Sequence, residues 1–382
     1  MNTLINIVLF IVILGILVFV HEFGHFITAK KSGVHIYEFS IGMGPLIKTI
    51  KGKDGINYSI RALPIGGYVQ MAGEIYEDDD TDKIPKDKFM CNRPWWQRLI
   101  ILVAGVFNNF LLALVLLFVI ALIWGAPSLK PVIYRVIPNS PVANTQEIIT
   151  DEEGNETIVS GIQDGDTIIK VNNKKVKTWD KAQLLLLLKS KDDKYEVTVR
   201  HEDGKEETFA LEKADYKDEE GNENHGFGFQ IHSDIKKGFV PAVKYAFAKF
   251  GATVDQMLCT LGSLFNGKLS INNLSGPVGI YTVVGETRKS GIENVIFLVA
   301  YLSINLGIMN ILPIPALDGG HILFLLIELI THKKVNERVE AITTTIFFAL
   351  LMLLMLYITI HDIFTLIIKW AWKSSFNLPK KT

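Results

Sequence analysis

The sequence predicts a polytopic α-helical membrane protein with four transmembrane spans, a cytosolic membrane-associated β-sheet loop and one extracytoplasmic α+β domain. Three observations predict it. Apolar residues make up 49% of the 382 and are gathered into blocks, four of which approach the roughly 20 residues a helix needs to cross a bilayer. A long polar stretch, residues 130–235, separates the second block from the third. The first block runs straight into His21-Glu22-Phe23-Gly24-His25, and ionisable or metal-binding groups at membrane depth are costly enough to mark function.

Composition narrows the field further. A net charge of −1 offers no bulk attraction to nucleic acid. Cys91 and Cys259 stand far apart without a CxxC, which argues against both a disulfide framework and a thiolate metal site.

The first element, residues 1–28, is a span from Leu4 to about Thr28. It lacks a basic start and an A-x-A site, so it reads as a retained helix and not as a cleaved signal. Residues 29–98 form a loop in which His35–Ile41, Leu46–Lys51, Ile56–Ala62 and Tyr68–Met71 read as four short strands between Gly and Pro turns. Within it, Glu77–Lys88 reads as a charged linker. The second span is 99–125, interrupted by Gly105, Asn108 and Asn109.

Residues 130–235 are a separate polar domain. Val132–Val136, Thr167–Val171, Tyr195–His201 and Glu207–Leu211 are strand-like there, and Asp180–Lys189 is helix-like. Residues 239–265 read as a partly apolar helix with Lys244 and Lys249, lying along the membrane surface. The third span, 292–331, is broken at Pro313-Ile314-Pro315, because proline removes a backbone donor and clashes with the preceding turn. Irregular backbone at membrane depth needs protein or a wet cavity beside it, so the break points to a site. The fourth span is 341–368.

Basic residues set the orientation. The 29–98 loop carries eleven Lys and Arg, from Lys30 to Arg98, and the short 331–340 loop carries Lys333, Lys334 and Arg338. Both loops fall on one side of a four-span topology, assigned to the cytosol. Lys373, Lys380 and Lys381 argue weakly the other way.

HExxH on a helix places two imidazoles on one face, within reach of one Zn²⁺, with a glutamate alongside for protons. Catalytic zinc takes three protein ligands and keeps the fourth position for water. His21 and His25 supply two. The best third candidate is Asp318, just past the break and flanked by glycines. A helix N-cap is the competing reading of Asp318 alone, and His321 is a weaker rival ligand. Glu22 would be the general base. His35, His201, His225, His232 and His332 read as surface residues, and His361-Asp362 as an interface pair.

These residues resemble the site-2 proteases, intramembrane zinc metalloproteases of M50-like type, and within them the bacterial regulator-of-sigma-E protease type. The likeness rests on His21-Glu22-Phe23-Gly24-His25, Gly66-Gly67-Tyr68, Ala104-Gly105-Val106-Phe107-Asn108-Asn109, the Asn273–Gly279 segment and Asn310…Pro313…Pro315…Asp318-Gly319. It implies one Zn²⁺ held by His21, His25 and Asp318, with Glu22 catalytic. It also implies that Asn310, Asn109, Gly67 and Tyr68 hold substrate. Val106 departs from the family's usual proline.

The polar domain resembles a single PDZ domain, from Pro138–Ala143 and Gly161–Asp166, with 145–160 as an insertion; such domains bind peptide tails by strand addition. The resemblance implies a multi-pass protein of a bacterial inner or plasma membrane, with the PDZ domain outside and the active site near the cytosolic side. It would cut transmembrane segments of single-span proteins, anti-sigma factors or remnant signal peptides, in regulated intramembrane proteolysis. An inactive PDZ scaffold is one rival, opposed by the intact acid-base set. A metal transporter is another, opposed by the few polar residues in the second and fourth spans.

Overall fold

The computed structural model describes residues 2–73, 84–150, 156–188, 194–231, 234–267, 269–270, 272 and 274–376. Most of the charged linker, the tip of the 145–160 insertion, His232 and Asn273 lie outside the described residues. The described helices are α1 (Asn2–Lys31), α2 (Trp95–Ile123), α3 (Trp179–Leu187), α4 (Phe239–Phe265), α5 (Pro277–Lys289), α6 (Ile292–Ile311), α7 (Asp318–Thr331) and α8 (Glu337–Phe376). Four are long and apolar enough to cross a membrane, over Thr3–Lys31, Trp95–Ile123, Ile292–Ile311 and Arg338–Ile368. The chain divides into two units, Met1–Leu116 with Ile271–Thr382, and Leu117–Ser270.

In the first unit α1 stands against a sheet made by two long strands, β1 (Ile36–Lys51) and β2 (Asn57–Met71). The sequence suggests four short strands; the chain instead keeps pairing through the bends as two continuous strands. Glycines make this possible, with φ of 88° at Gly42, 80° at Gly44 and 89° at Gly66. The pairing is still that of four segments. Ile36 faces Met71 and Ile41 faces Gly67, while Phe39 and Ile41 also meet Tyr58 and Ile60. Beyond the bend, Leu46 faces Arg61 and Lys51 faces Asn57. Gly67–Met71 is therefore an edge.

Two apolar clusters hold α1 in place. Phe26 and Ala29 pack with Phe39, Val69 and Met71 of the sheet, Ile101 and Leu102 of α2, and Leu325 of α7. Nearer the other end, Ile13 and Leu17 pack with Val284 of α5 and with Val295 and Leu298 of α6. Leucine, isoleucine and phenylalanine at helical spacing thus serve two surroundings, some buried here and others, such as Val8, Val12 and Phe19, left facing outward.

The broken third span is two helices. α6 stops at Ile311 and α7 starts at Asp318, with Ile314 N–H donating to Leu312 O and Leu317 N–H to Ile314 O between them. The short α5 is absent from the sequence reading; Gly279, Gly285 and five valines and threonines give Pro277–Lys289 a poor helix propensity. It is capped from elsewhere. Asp362 of α8 accepts the N–H of Gly276 at 2.9 Å and of Gly279 at 2.8 Å, so this residue is a helix cap. α8 makes few other polar contacts: Thr344 donates to Pro315 O at 3.1 Å, the Tyr357 hydroxyl to Asn272 Oδ1 at 3.0 Å, and His321 meets Glu340 at 3.0 Å.

In the second unit β3 (Ala126–Pro127), β4 (Ile133–Val136), β5 (Glu147–Thr150), β6 (Glu156–Ser160), β7 (Thr167–Val171) and β8 (Lys174–Lys175) precede α3. After it come β9 (Lys194–Arg200), β10 (Glu206–Glu212), β11 (Ala214–Lys217), β12 (Glu223–Gly226), β13 (Phe229–Ile231) and β14 (Ile235–Lys236). The main sheet runs β10-β9-β7-β8. Ile168, Val171, Val197, Val199 and Leu211 from it close on Ala182, Leu185 and Leu186 of α3. Ion pairs Lys249–Asp180 and Lys181–Asp255, both 2.8 Å, join α3 to α4. His201 is not the surface residue expected; its Nδ1 meets the buried Asp166 at 2.8 Å, whose pKa burial raises against the opposing pull of Gln163 N–H and His201.

Candidate active site

α1 carries His21 and His25 one turn apart, each only 7% exposed. Their neighbours explain how two polar rings come to be buried. Gly24 lets α2 approach so closely that a Cβ there would collide with Ala104 O. Gly105 leaves the room the rings occupy, since its Cβ would meet His25 Nε2 and stand 2.7 Å from His21 Cε1. Small residues at helix crossings do the same work throughout membrane proteins.

Asp318 arrives from the start of α7. Two glycines put it there: a Cβ on Gly319 would run into Leu312 O and Ile311 O, and one on Gly320 into Ile314 O. The helix thus begins pressed against the preceding turn. The Oδ2 atom stands 3.2 Å from His21 Nε2 and 3.4 Å from His25 Nε2, and the two Nε2 atoms are 3.3 Å apart.

Hydrogen bonding tells what these atoms carry. His25 Nδ1 lies 2.8 Å from Ile101 O. A carbonyl only accepts, so Nδ1 holds the proton and Nε2 presents a lone pair. Asp318 Oδ2 is buried without a hydrogen-bond donor. Lone pairs therefore converge, an arrangement that calls for a cation. Donors about 2.0–2.1 Å from a tetrahedral zinc stand about 3.3–3.4 Å from one another; these three stand 3.2–3.4 Å apart. The set fits Zn²⁺.

The remaining expected residues, Tyr68 excepted, also gather here. Asn310, near the end of α6, has Nδ2 3.3 Å from His21 Nε2. Asn109 is fully buried, with Nδ2 3.1 Å from His21 Nδ1 and Oδ1 lacking any partner. A half-turn of this carboxamide lets Oδ1 accept from Nδ1–H, which gives Oδ1 a partner and frees the Nε2 lone pair of His21. Ser303 of α6 donates to Asn109 O at 2.8 Å. Glu22 is half-buried, and a Cβ on Gly67 would lie 3.2 Å from its Cγ and 2.7 Å from Ser40 O. The edge of the sheet therefore reaches Glu22. Tyr68 is turned away, its hydroxyl donating to Glu38 Oε2 at 3.0 Å.

His321 is not part of the group; it faces Glu340. Among the described residues, His21, His25 and Asp318 are the one cluster of potential ligands close enough to share an ion. Two participants escaped sequence reasoning. Gly105 was visible only as an interruption of the second span and as part of the Ala104–Asn109 stretch. The Ile101 carbonyl leaves no sequence signal, because every residue has one.

The profile of Peptidase family M50 matches residues 9–354. The zinc metalloprotease RasP of Bacillus licheniformis is 31% identical over 438 aligned positions, covering 95% of this chain and 99% of the relative. The regulator of sigma-W protease RasP of Bacillus subtilis is 31% identical over 433, covering 94% and 98%. A zinc metalloprotease RasP of Shouchella clausii is 31% identical over 440, covering 95% and 99%. With a family match over most of its length and a His-His-Asp cluster on its apolar helices, the chain belongs to peptidase family M50, the membrane-embedded site-2 metalloproteases.

Proposed function

We propose that the protein hydrolyses peptide bonds within transmembrane segments of single-span proteins, using one zinc per chain held by His21, His25 and Asp318. The observation that carries this is the 3.2–3.4 Å triangle of inward lone pairs. Zn²⁺ there would supply Lewis acidity toward water and the scissile carbonyl. Glu22 takes the proton of the attacking water on its carboxylate and returns it to the leaving amine. Asn310, whose amide reaches the same corner, holds the substrate carbonyl. Asn109 is too buried to meet substrate and instead fixes the ring of His21.

A helical substrate shields its peptide bonds with its own hydrogen bonds and must be unwound before attack. The Gly67 edge answers that need. Among the described residues no other strand pairs along its outer side, and it touches Glu22. An unwound segment adding there as a strand is carried past the base in extended form.

Anti-sigma factors are the favoured substrates, because a relative is named a regulator of sigma-W protease; remnant signal peptides present the same chemistry. The setting is a bacterial plasma membrane with the active site toward the cytosol, supported by the lysines and arginines of the 29–98 and 331–340 loops. The second unit acts as an extracytoplasmic PDZ domain, supported by β13, which among the described residues pairs only with β4 and has Phe229 against Trp179 of α3 at 6.0 Å. Substrate trapping tests the reading: Glu22→Gln in membranes retains an uncut single-span protein. Recovery of only soluble partners would defeat it.

A further inference from the structure

Glu38 stands outside the metal cluster, yet it ties together every segment of the sheet that reaches Glu22. It lies on the middle segment, opposite Gln70 on one side and Asn57 on the other. Its carboxylate receives Arg61 Nη2 at 3.0 and 3.1 Å and Nε at 3.3 Å, and the Tyr68 hydroxyl at 3.0 Å. Arg61 in turn donates Nη1 to Gly44 O at 2.9 Å and stacks over the Tyr68 ring at 5.3 Å. The group is largely shielded, Glu38 at 13% and Arg61 at 22% side-chain exposure. Burial pushes the carboxyl pKa up, but hydrogen bonds from Ser59, Tyr68 and Arg61 outweigh it and hold the group below the ordinary value.

We infer that Glu38 is a positioning residue for catalysis: its clamp on Arg61 and Tyr68 sets the height of the Gly67–Val69 edge against Glu22, and so selects which bond is cut. The inference rests on the edge-strand reading above. The reason is geometric. An edge strand offers identical backbone groups at each two-residue step, so it fixes hydrogen bonds without fixing register. Register must come from where the strand is anchored. Gly67 has no side chain to anchor it, and Gly66 at positive φ is a pivot. Tyr68, next in line, is the first residue whose side chain is tied down, and Glu38 is what ties it. Arg61 carries the tie to the Gly44 bend, so the edge and the bend move as one piece.

The test uses full-length enzyme in detergent and a synthetic single-span substrate. Cut position is read by mass spectrometry, alongside KM, kcat, zinc content and thermal midpoint. Glu38→Gln is expected to lower kcat about tenfold with KM little changed, since misplacements of an ångström carry rate penalties up to about a hundredfold. Cuts should spread to neighbouring bonds while zinc content holds. Tyr68→Phe, which removes one tie and keeps the ring, should spread the cuts less and serves if Glu38→Gln fails to fold. A second substrate carries N-methylated amides beside the scissile bond. If wild-type enzyme cuts it as well as the unmodified peptide, the edge-strand reading fails and this inference with it. If methylation blocks cleavage while both variants keep the wild-type cut and kcat, Glu38 has no positioning role and the edge strand stands.

Discussion

Gly105 sits so close to His25 that a side chain on it would occupy the space of Nε2. The atom proposed to meet the metal is therefore exposed to it only because residue 105 has no Cβ. Gly105→Ala is expected to displace the His25 ring and weaken zinc binding by about 10–100-fold, the usual effect of disturbing a ligand's support. Competition with a zinc chelator measures it. Wild-type affinity in the variant would mean that the rings have freedom the packing denies them.

Loss of the base differs from loss of a ligand. Glu22→Gln should leave zinc at one per chain and lower cleavage by at least about 10²–10⁴-fold, the share a general base contributes. Elemental analysis and a transmembrane-substrate assay separate the two effects. Residual wild-type turnover would move the base elsewhere.

His25→Ala and Asp318→Ala should each purify without zinc. For Asp318→Ala the consequence is sharper, since its Oδ2 has no other partner to hold it. Full occupancy in either variant would break the proposed ligand set.

Asp362→Ala removes the acceptor of two N–H groups at the start of α5. Unsatisfied donors away from water cost about 1–3 kcal/mol each. The variant is expected to melt earlier, with faster amide exchange at Gly276 and Gly279 than in wild type, while zinc content stays unchanged. Equal exchange at the two glycines would show that the cap is not needed.

The Glu38 clamp has a pH signature whose sign follows from its lowered pKa. Folding holds the carboxylate ionised, so the clamp contributes fully above the unfolded value near pH 4.5 and fades as pH falls through the lower folded value. Acidification should therefore loosen Gly67–Val69 in wild type and make little difference in Glu38→Gln, as amide exchange along the edge would report. An identical acid response in both would deny the clamp this role.

The four spans were legible because long apolar runs have few other uses, and α1, α2, α6 and α8 stand where those runs fall. The pair His21 and His25 was legible from spacing, and Asp318 from the break before it. The sheet was legible in pieces. Hydropathy marks where strand-like residues lie but says nothing of glycines that let a strand turn without ending, so four segments became two strands. α5 was hidden because its stability comes from Asp362, a residue distant in sequence. The carboxylate of Glu38 was likewise unremarkable until folding placed Arg61 and Tyr68 around it.

Among the described residues, nothing in the membrane window of α8 is enclosed by the rest of the chain, and its ties include a hydroxyl on Pro315 O, a histidine–glutamate contact, the Tyr357 hydroxyl on Asn272 and the cap on α5. A rod so sparsely fastened is free to tilt when the surrounding hydrocarbon is thinner than its apolar length. Two of those fastenings land within three residues of Asp318. Bilayer thickness thus has a mechanical route to the turn that carries Asp318.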